Sequence, residues 1–201
     1  MRLKNFTLGA IAILFACSFK NTPTKSVIII DAAHGGTDNG ATTPIAMEKE
    51  ITLSIAQKIK SLNSNENIEL VLLRDKDEFK SLDERTKIIN GLKPAMIISL
   101  HTNFMVNNEE KSGVEIFVSK QNKHYASSLA HANKLQEVMM QKGKTNTVVM
   151  NKNLHLLRES DCDAMSVELG YLSNLQERDY LLSESGQTEI AQTINSFINK
   201  K

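Results

Sequence analysis

A chain of 201 residues that is 41% apolar, with only nine Gly and three Pro, can bury one sizeable core and is too short for two ordinary domains. Its 24 basic and 23 acidic residues leave a net charge of +1, which offers no electrostatic footprint for nucleic acid, and two cysteines cannot make a disulfide framework. With no Trp and 5% aromatics, a sugar-stacking surface built on tryptophan is excluded as well.

The first residues stand apart. Arg2 and Lys4 precede an uncharged apolar run from Phe6 to Ala16, and polar sequence follows from Ser18. The run is little more than half of the ~20 residues a bilayer span needs, so residues 1–16 read as an export signal peptide and not as a membrane helix. It closes in Leu14-Phe15-Ala16-Cys17, which resembles the lipobox of bacterial lipoproteins and implies a lipid anchor on Cys17. The alternative is a secreted protein with a cysteine near its cut site. Residues 17–25 read as a linker and residues 26–201 as one folded domain.

Val27 to Gly36, VIIIDAAHGG, reads as a fully buried strand ending in a tight turn, with His34 at the strand's carboxyl end. Gly35 to Met47, rich in Gly, Thr, Asn and Asp, reads as a loop. A helix starts at Glu48, with Ile51, Ile55, Ile59 and Leu62 as its buried stripe. At 100° per residue Glu48 lies about 20° from Ile55 on the helical wheel, so it faces inward while Lys49 and Glu50 turn away. A plainer role for Glu48 is to complement the helix dipole. Ile68 to Leu73 is a second strand that exits through Arg74-Asp75, and Ser81-Leu82-Asp83-Glu84 is a capping box opening a helix to about Asn90.

Ala95 to Leu100 is a third buried strand, and it ends at His101. Gly113 to Ser119 alternates like a half-exposed strand nearer an edge. A long helix follows from about Tyr125 to Lys142, with His124 and His131 expected to be solvated. Leu154 to Leu157 and Ala164 to Leu169 are further strand candidates, with His155 packed among apolar neighbours and Glu168 at or next to a strand end. A short helix after Ser173-Asn174 and an amphipathic one through Ile190, Ile194, Phe197 and Ile198 close the chain. The expected fold is a single-domain α/β protein, a twisted and mostly parallel sheet with helices on both faces.

Ligands in such sheets bind outside the carboxyl ends of the strands, where His34 and His101 are both expected. One histidine there is more often structural, whereas two with an inward Glu48 match the three protein ligands of a His₂Glu catalytic zinc site. Glu168, outside that set, is suited to take a proton from water and pass it to a leaving amine.

The series Ile30-Asp31-Ala32-Ala33-His34-Gly35-Gly36, Glu48-Lys49-Glu50, Leu73-Arg74-Asp75, Ser99-Leu100-His101-Thr102-Asn103, Gly113-Val114-Glu115, Leu157-Arg158 and Val167-Glu168-Leu169-Gly170 to Asn174 resembles, in order, the zinc-dependent N-acetylmuramoyl-L-alanine amidases of bacterial cell walls. Where that family usually has Asp-Pro-Gly-His, this chain has Asp31-Ala32-Ala33-His34. The resemblance implies zinc on His34, Glu48 and His101, Glu168 as catalytic acid/base, and hydrolysis of the amide between N-acetylmuramic acid and L-alanine in peptidoglycan. Asn103 and Arg158 are expected to bind substrate, or else only to tie loops together. A monomer in the periplasm, anchored through Cys17 and needing no obligate activator, completes the expectation. The alternatives are a zinc peptidase on another wall amide and a wall-binding lipoprotein without activity.

Overall fold

The computed structural model describes residues 25–200, so the expected signal peptide, Cys17 and nearly all of the expected linker lie outside the described residues. Six strands form one sheet in the order β4-β1-β5-β8-β6-β7. These are β1 (Ser26–Ala32), β4 (Ile68–Leu72), β5 (Met96–Asn103), β6 (Val114–Val118), β7 (Thr147–Asn151) and β8 (Asp163–Tyr171). Every neighbouring pair is parallel except β6 with β8, which makes the sheet mixed but mostly parallel, as expected. A two-residue hairpin, β2 (Thr42–Thr43) with β3 (Ala46–Met47), sits inside the expected loop.

Alternation along each strand sends successive side chains to opposite faces, so each face has its own core. One face carries Ile28, Ile30, Met96, Ile98 and Val167 against α1 (Glu48–Leu62), α3 (Tyr125–Gln141) and α6 (Glu184–Asn199). The other carries Ile29, Ile97, Ala164 and Phe117 against the shorter α2 (Leu82–Leu92) and α4 (His155–Glu159). Because α2 and α4 are short, this second face is open beyond them, towards the carboxyl ends of β1, β5 and β8. The capping box of α2 is present, Ser81 accepting from Glu84 N–H and Glu84 from Ser81 N–H. The remaining helix, α5 (Leu175–Leu182), starts at the Asn174 cap.

Several expectations are corrected. Leu154 to Leu157 belongs largely to α4 and is not a strand: Leu156 and Leu157 are both buried in the same core, which consecutive strand residues cannot achieve. The strand omitted is β7, an edge strand whose exposed Val148 and Met150 blur its pattern. Strand β6 is not half-exposed, since Val114, Ile116, Phe117 and Val118 are all buried between β8 and β7. His131 is not solvated. It lies 2.8 Å from Asp163 and edge-on to Phe197. His155 is not packed among apolar groups but places Nε2 3.2 Å from Asp83 Oδ1.

Candidate metal centre and active site

Strand β1 delivers His34 through a turn that only certain residues tolerate. His34 itself is left-handed at φ +61°, a region costly for most side chains but entered more often by His, Asn and Asp. Gly40, at φ +65°, closes the loop over the site: a Cβ there would lie 2.5 Å from Glu48 Oε2 and 2.6 Å from His34 Cδ2. Two buried arginines hold the turn from below. Arg74 donates to Ala32 O (2.9 Å), Ala33 O (2.9 Å) and Lys49 O (2.7 Å). Arg85 donates to Ala32 O (3.0 Å) and His34 O and pairs with buried Asp31, which also accepts from Ser99 Oγ at 2.7 Å. Because both guanidinium groups spend their donors on carbonyls and on Asp31, they fix this backbone, and Arg85 also borders the cleft beside the metal cluster.

Glu48 is the first residue of α1 and is almost completely buried. Its oxygens accept from two amides outside its own helix, Oε2 from Ala41 N–H (2.7 Å) and Oε1 from Thr102 N–H (3.0 Å). Oε1 also lies 3.2 Å from His34 Nε2 and 3.0 Å from His101 Nδ1. The two imidazole rings stand edge to face, with centroids 5.3 Å apart. Asp38 Oδ2 takes the remaining nitrogen of His34 at 2.8 Å, which orients the ring and leaves Nε2 for the site. Burial opposes ionisation of Glu48, but the hydrogen bonds from His101 and His34 outweigh it and hold the carboxyl well below its usual range. Burial likewise would lower the His34 pKa, yet Glu48 and then Asp38 raise it to about 9. Such a cluster stabilises a cation at its centre.

One ligand atom from each of His34, Glu48 and His101 lies within 4.8 Å of the others, the single such group among the described residues. Tetrahedral zinc with bonds of about 2.0–2.1 Å places its ligands about 3.3 Å apart, close to the two Glu48–histidine separations. The nitrogen and oxygen donors, the spacing and the Asp38 support therefore fit a divalent ion such as zinc.

Glu168 on β8 is the register partner of His101 on β5, and Glu115 on β6 is in turn the partner of Glu168. The three side chains form one row on the open face. The Glu168 side chain makes no hydrogen bond or ion pair among the described residues, and burial, followed by the opposing pull of His101 and the push of Glu48, raises its pKa. Glu115 is tied down by Tyr171 O–H (2.6 Å) and Asn103 Nδ2 (3.2 Å). Asn103 thus links strand ends beside the site. Arg158 donates to Glu159 (2.7 Å) and Asn153 (2.9 Å) and does not line the cleft that opens beside His34 and His101. Sequence reasoning gave no role to Asp38, Arg74, Arg85 or Glu115. A signal existed for Arg85, which falls four residues before Ile89 on the buried stripe of α2.

A mostly parallel α/β sheet with a His-Glu-His cluster and a free carboxylate at its carboxyl edge is the framework of a metal-dependent hydrolase. Residues 28–200 match the N-acetylmuramoyl-L-alanine amidase family Amidase_3, and the chain belongs to that family. It is 31% identical over 161 residues to the sporulation-specific N-acetylmuramoyl-L-alanine amidase of Bacillus subtilis, covering 79% of this chain and 61% of that protein. It also spans 59% of the probable cell wall amidase LytH of Staphylococcus epidermidis, to which it is 29% identical over 88% of its own length, so it covers about three-fifths of the length of either of these two relatives. Among solved structures, the catalytic domain of CwlV, an N-acetylmuramoyl-L-alanine amidase from Bacillus (Paenibacillus) polymyxa var. colistinus, superposes with TM-score 0.80 at 32% identity, covering 87% of this chain and 97% of that one. The CwlD amidase of Clostridioides difficile, solved in complex with the GerS lipoprotein, gives TM-score 0.79 at 26% identity, covering 88% and 98%.

Proposed function

We propose that this chain is an exported zinc amidase that hydrolyses the amide joining the lactyl group of N-acetylmuramic acid to the L-alanine of the peptidoglycan stem. The observation that carries this is the convergence of His34, Glu48 and His101 on one point with Glu168 beside them, in a member of the amidase family. The two histidines would hold zinc by imidazole nitrogens and Glu48 by a carboxylate oxygen. When bound, zinc supplies Lewis acidity that polarises the scissile carbonyl and strengthens water as a nucleophile. Glu168, unpaired and half-buried, takes the proton of the attacking water and delivers it to the leaving nitrogen. Its raised pKa suits both halves of that task. Asp38 keeps His34 oriented, and Asn103 beside the strand ends and Arg158 on α4 serve substrate binding.

The proposal extends to residues 1–16 as signal peptide, Cys17 as lipid anchor and residues 26–201 as a monomeric catalytic domain at the periplasmic face of the envelope, supported by the apolar run Phe6–Ala16 and the Ala16-Cys17 junction. It needs no activator, because the helix between His101 and Glu168 uses its apolar side, Ala132, Leu135 and Met139, in the core. Product analysis on purified peptidoglycan tests the activity. Free stem peptides beginning at alanine are expected, whereas cleaved cross-bridges would mark a peptidase and binding without products an inactive wall protein. Fatty-acid labelling that disappears in Cys17→Ser tests the anchor.

A further inference from the structure

The rim at the carboxyl ends of the strands holds a second cavity, of about 310 Å³, at the lower end of pockets that take small organic ligands. One wall is Thr42, Thr43 and Pro44 of the β2–β3 hairpin, which leads into Glu48, and the other is Phe104, Met105 and Val106, which follow β5. Phe104 is three residues past His101, so no more than roughly 11 Å of chain separates them. Phe104 and Met105 are partly exposed and Val106 is 71% exposed, so this wall presents carbon to solvent. Ser173 and Arg178 of α5 complete the lining, and Ser173 Oγ is already taken by Met105 N–H at 3.1 Å. Arg178 is not satisfied. Its Nη1 donates to Leu172 O at a long 3.4 Å, its buried Nε has no hydrogen-bond partner, and no carboxylate pairs with it among the described residues, not even Glu109 on the same cavity. Arg74 and Arg85 spend their donors on carbonyls and Asp31, whereas an N–H buried without an acceptor is costly and points to a missing partner. Bond hydrolysis at the metal uses none of this.

We propose that this cavity binds the lactyl carboxylate of a muramic acid whose peptide has already been removed, an inference that rests on the amidase reading. Charge is the first argument. Hydrolysis adds water across the amide and leaves a carboxylate on the lactyl ether and an amine on the peptide, so each completed turnover puts on the glycan an anion that was not there before. A carboxylate accepts two N–H bonds from one guanidinium and supplies the acceptor that Nε lacks. Position is the second argument. Muramic acid recurs along the glycan, and the cavity opens on the same rim as His101, beside the sugar at the metal cluster. The third is the carbon of the walls. The lactyl and N-acetyl groups each end in a methyl group, which Pro44, Phe104 and Val106 cover while the charge reaches Arg178. A strand that the protein has begun to strip therefore holds it more tightly than an untouched one.

The test titrates the protein, kept metal-free so that nothing is turned over, with three sugars. These are N-acetylmuramic acid, N-acetylglucosamine, which lacks the lactyl group, and N-acetylmuramoyl-L-alanine, in which the lactyl carboxyl is an amide. Backbone amide shifts at Met105, Val106 and Arg178 read this cavity separately from His34 and His101. N-acetylmuramic acid is expected to bind there about tenfold or more tightly than either of the others. Arg178→Met should remove that preference. Val106→Glu, at an exposed position that the core does not use, should weaken N-acetylmuramic acid about threefold, and Glu109→Gln should strengthen it by a similar factor. Equal binding of N-acetylmuramic acid and either other sugar, or a preference that both Arg178→Met and Val106→Glu leave intact, overturns the site. Digestion of peptidoglycan by the zinc-loaded protein is run in parallel. Stem peptides released without the N-acetylmuramic acid preference overturn this site alone, whereas the preference without release supports the site and overturns the amidase reading.

Discussion

His101 and Glu168 stand directly opposite one another on adjacent parallel strands, so one strand offers an imidazole of the His-Glu-His cluster where the next offers a free carboxylate. Their closeness is built into backbone pairing and does not depend on a loop. Glu168→Gln should therefore fold normally and retain one zinc per chain while losing turnover by at least about 10²-fold, the range expected of a general acid/base. Metal analysis and peptidoglycan digestion on the same sample decide it. A zinc-free variant, or one near parental activity, would sink the assignment.

Removing a ligand should act differently. His34→Ala, or chelation of the parent, should abolish both bound zinc and hydrolysis, and zinc should restore activity to the chelated parent alone. If His34→Ala kept stoichiometric zinc, the metal would be held elsewhere.

The pH dependence of the metal-free protein has a definite sign. His34 has its pKa raised from an ordinary 6.5 to about 9, so the stability it contributes is complete below about pH 6.5 and lost as pH rises through about 9. Glu48 is depressed, so its contribution is present above the ordinary value of 4.5 and lost as pH falls. Urea midpoints in chelator should accordingly be lower at pH 9.5 than at pH 6. Zinc must displace the His34 proton, so calorimetry in buffers of different ionisation enthalpy near pH 7.5 should report release of about one proton per zinc. Equal midpoints and no proton release would contradict the coupled cluster.

Gly40→Ala adds a methyl group against both Glu48 and His34 at a positive φ. Zinc affinity should fall about 10- to 100-fold, the usual scale for disturbing the support of metal ligands. Competition with a chromophoric chelator measures it.

Arg85→Met leaves Asp31 buried without its partner and should cost about 3–5 kcal/mol by denaturant unfolding. Adding Asp31→Asn should recover part of that loss. A double variant no more stable than Arg85→Met would mean that the carbonyl bonds to Ala32 and His34 dominate.

Much of the site was legible because its residues end continuous apolar strands. The runs before His34 and His101 left few alternatives to buried parallel strands, and the wheel position of Glu48 turned it inward. The structure refines that reading, since Glu48 serves amides of Ala41 and Thr102 and both histidines, with neither amide belonging to its own helix. Asp38 was not legible, because its role depends on how a Gly-rich loop folds back. Arg74 stands out in the sequence as a strand exit and as part of the resembling series but with no role, since spacing cannot tell a solvated arginine from one that binds four carbonyls. The exchange of β7 and α4 has the same origin: short apolar runs carry too little periodicity to separate helix from strand.

The strand order also bears on how the protein comes into being on the ribosome. β8 is formed near the end of the chain yet lies between β5 and β6, so the β6–β7 pair joins the rest of the sheet only when β8 arrives. A nascent chain carries all three residues of the His-Glu-His cluster by residue 101, long before it carries Glu168. Long-range insertion of this kind is slow relative to local pairing. The step that brings Glu168 beside His101 is thus the same step that unites the two halves of the sheet, and on the proposed function an incomplete chain that had captured a metal would still lack the group assigned to proton transfer.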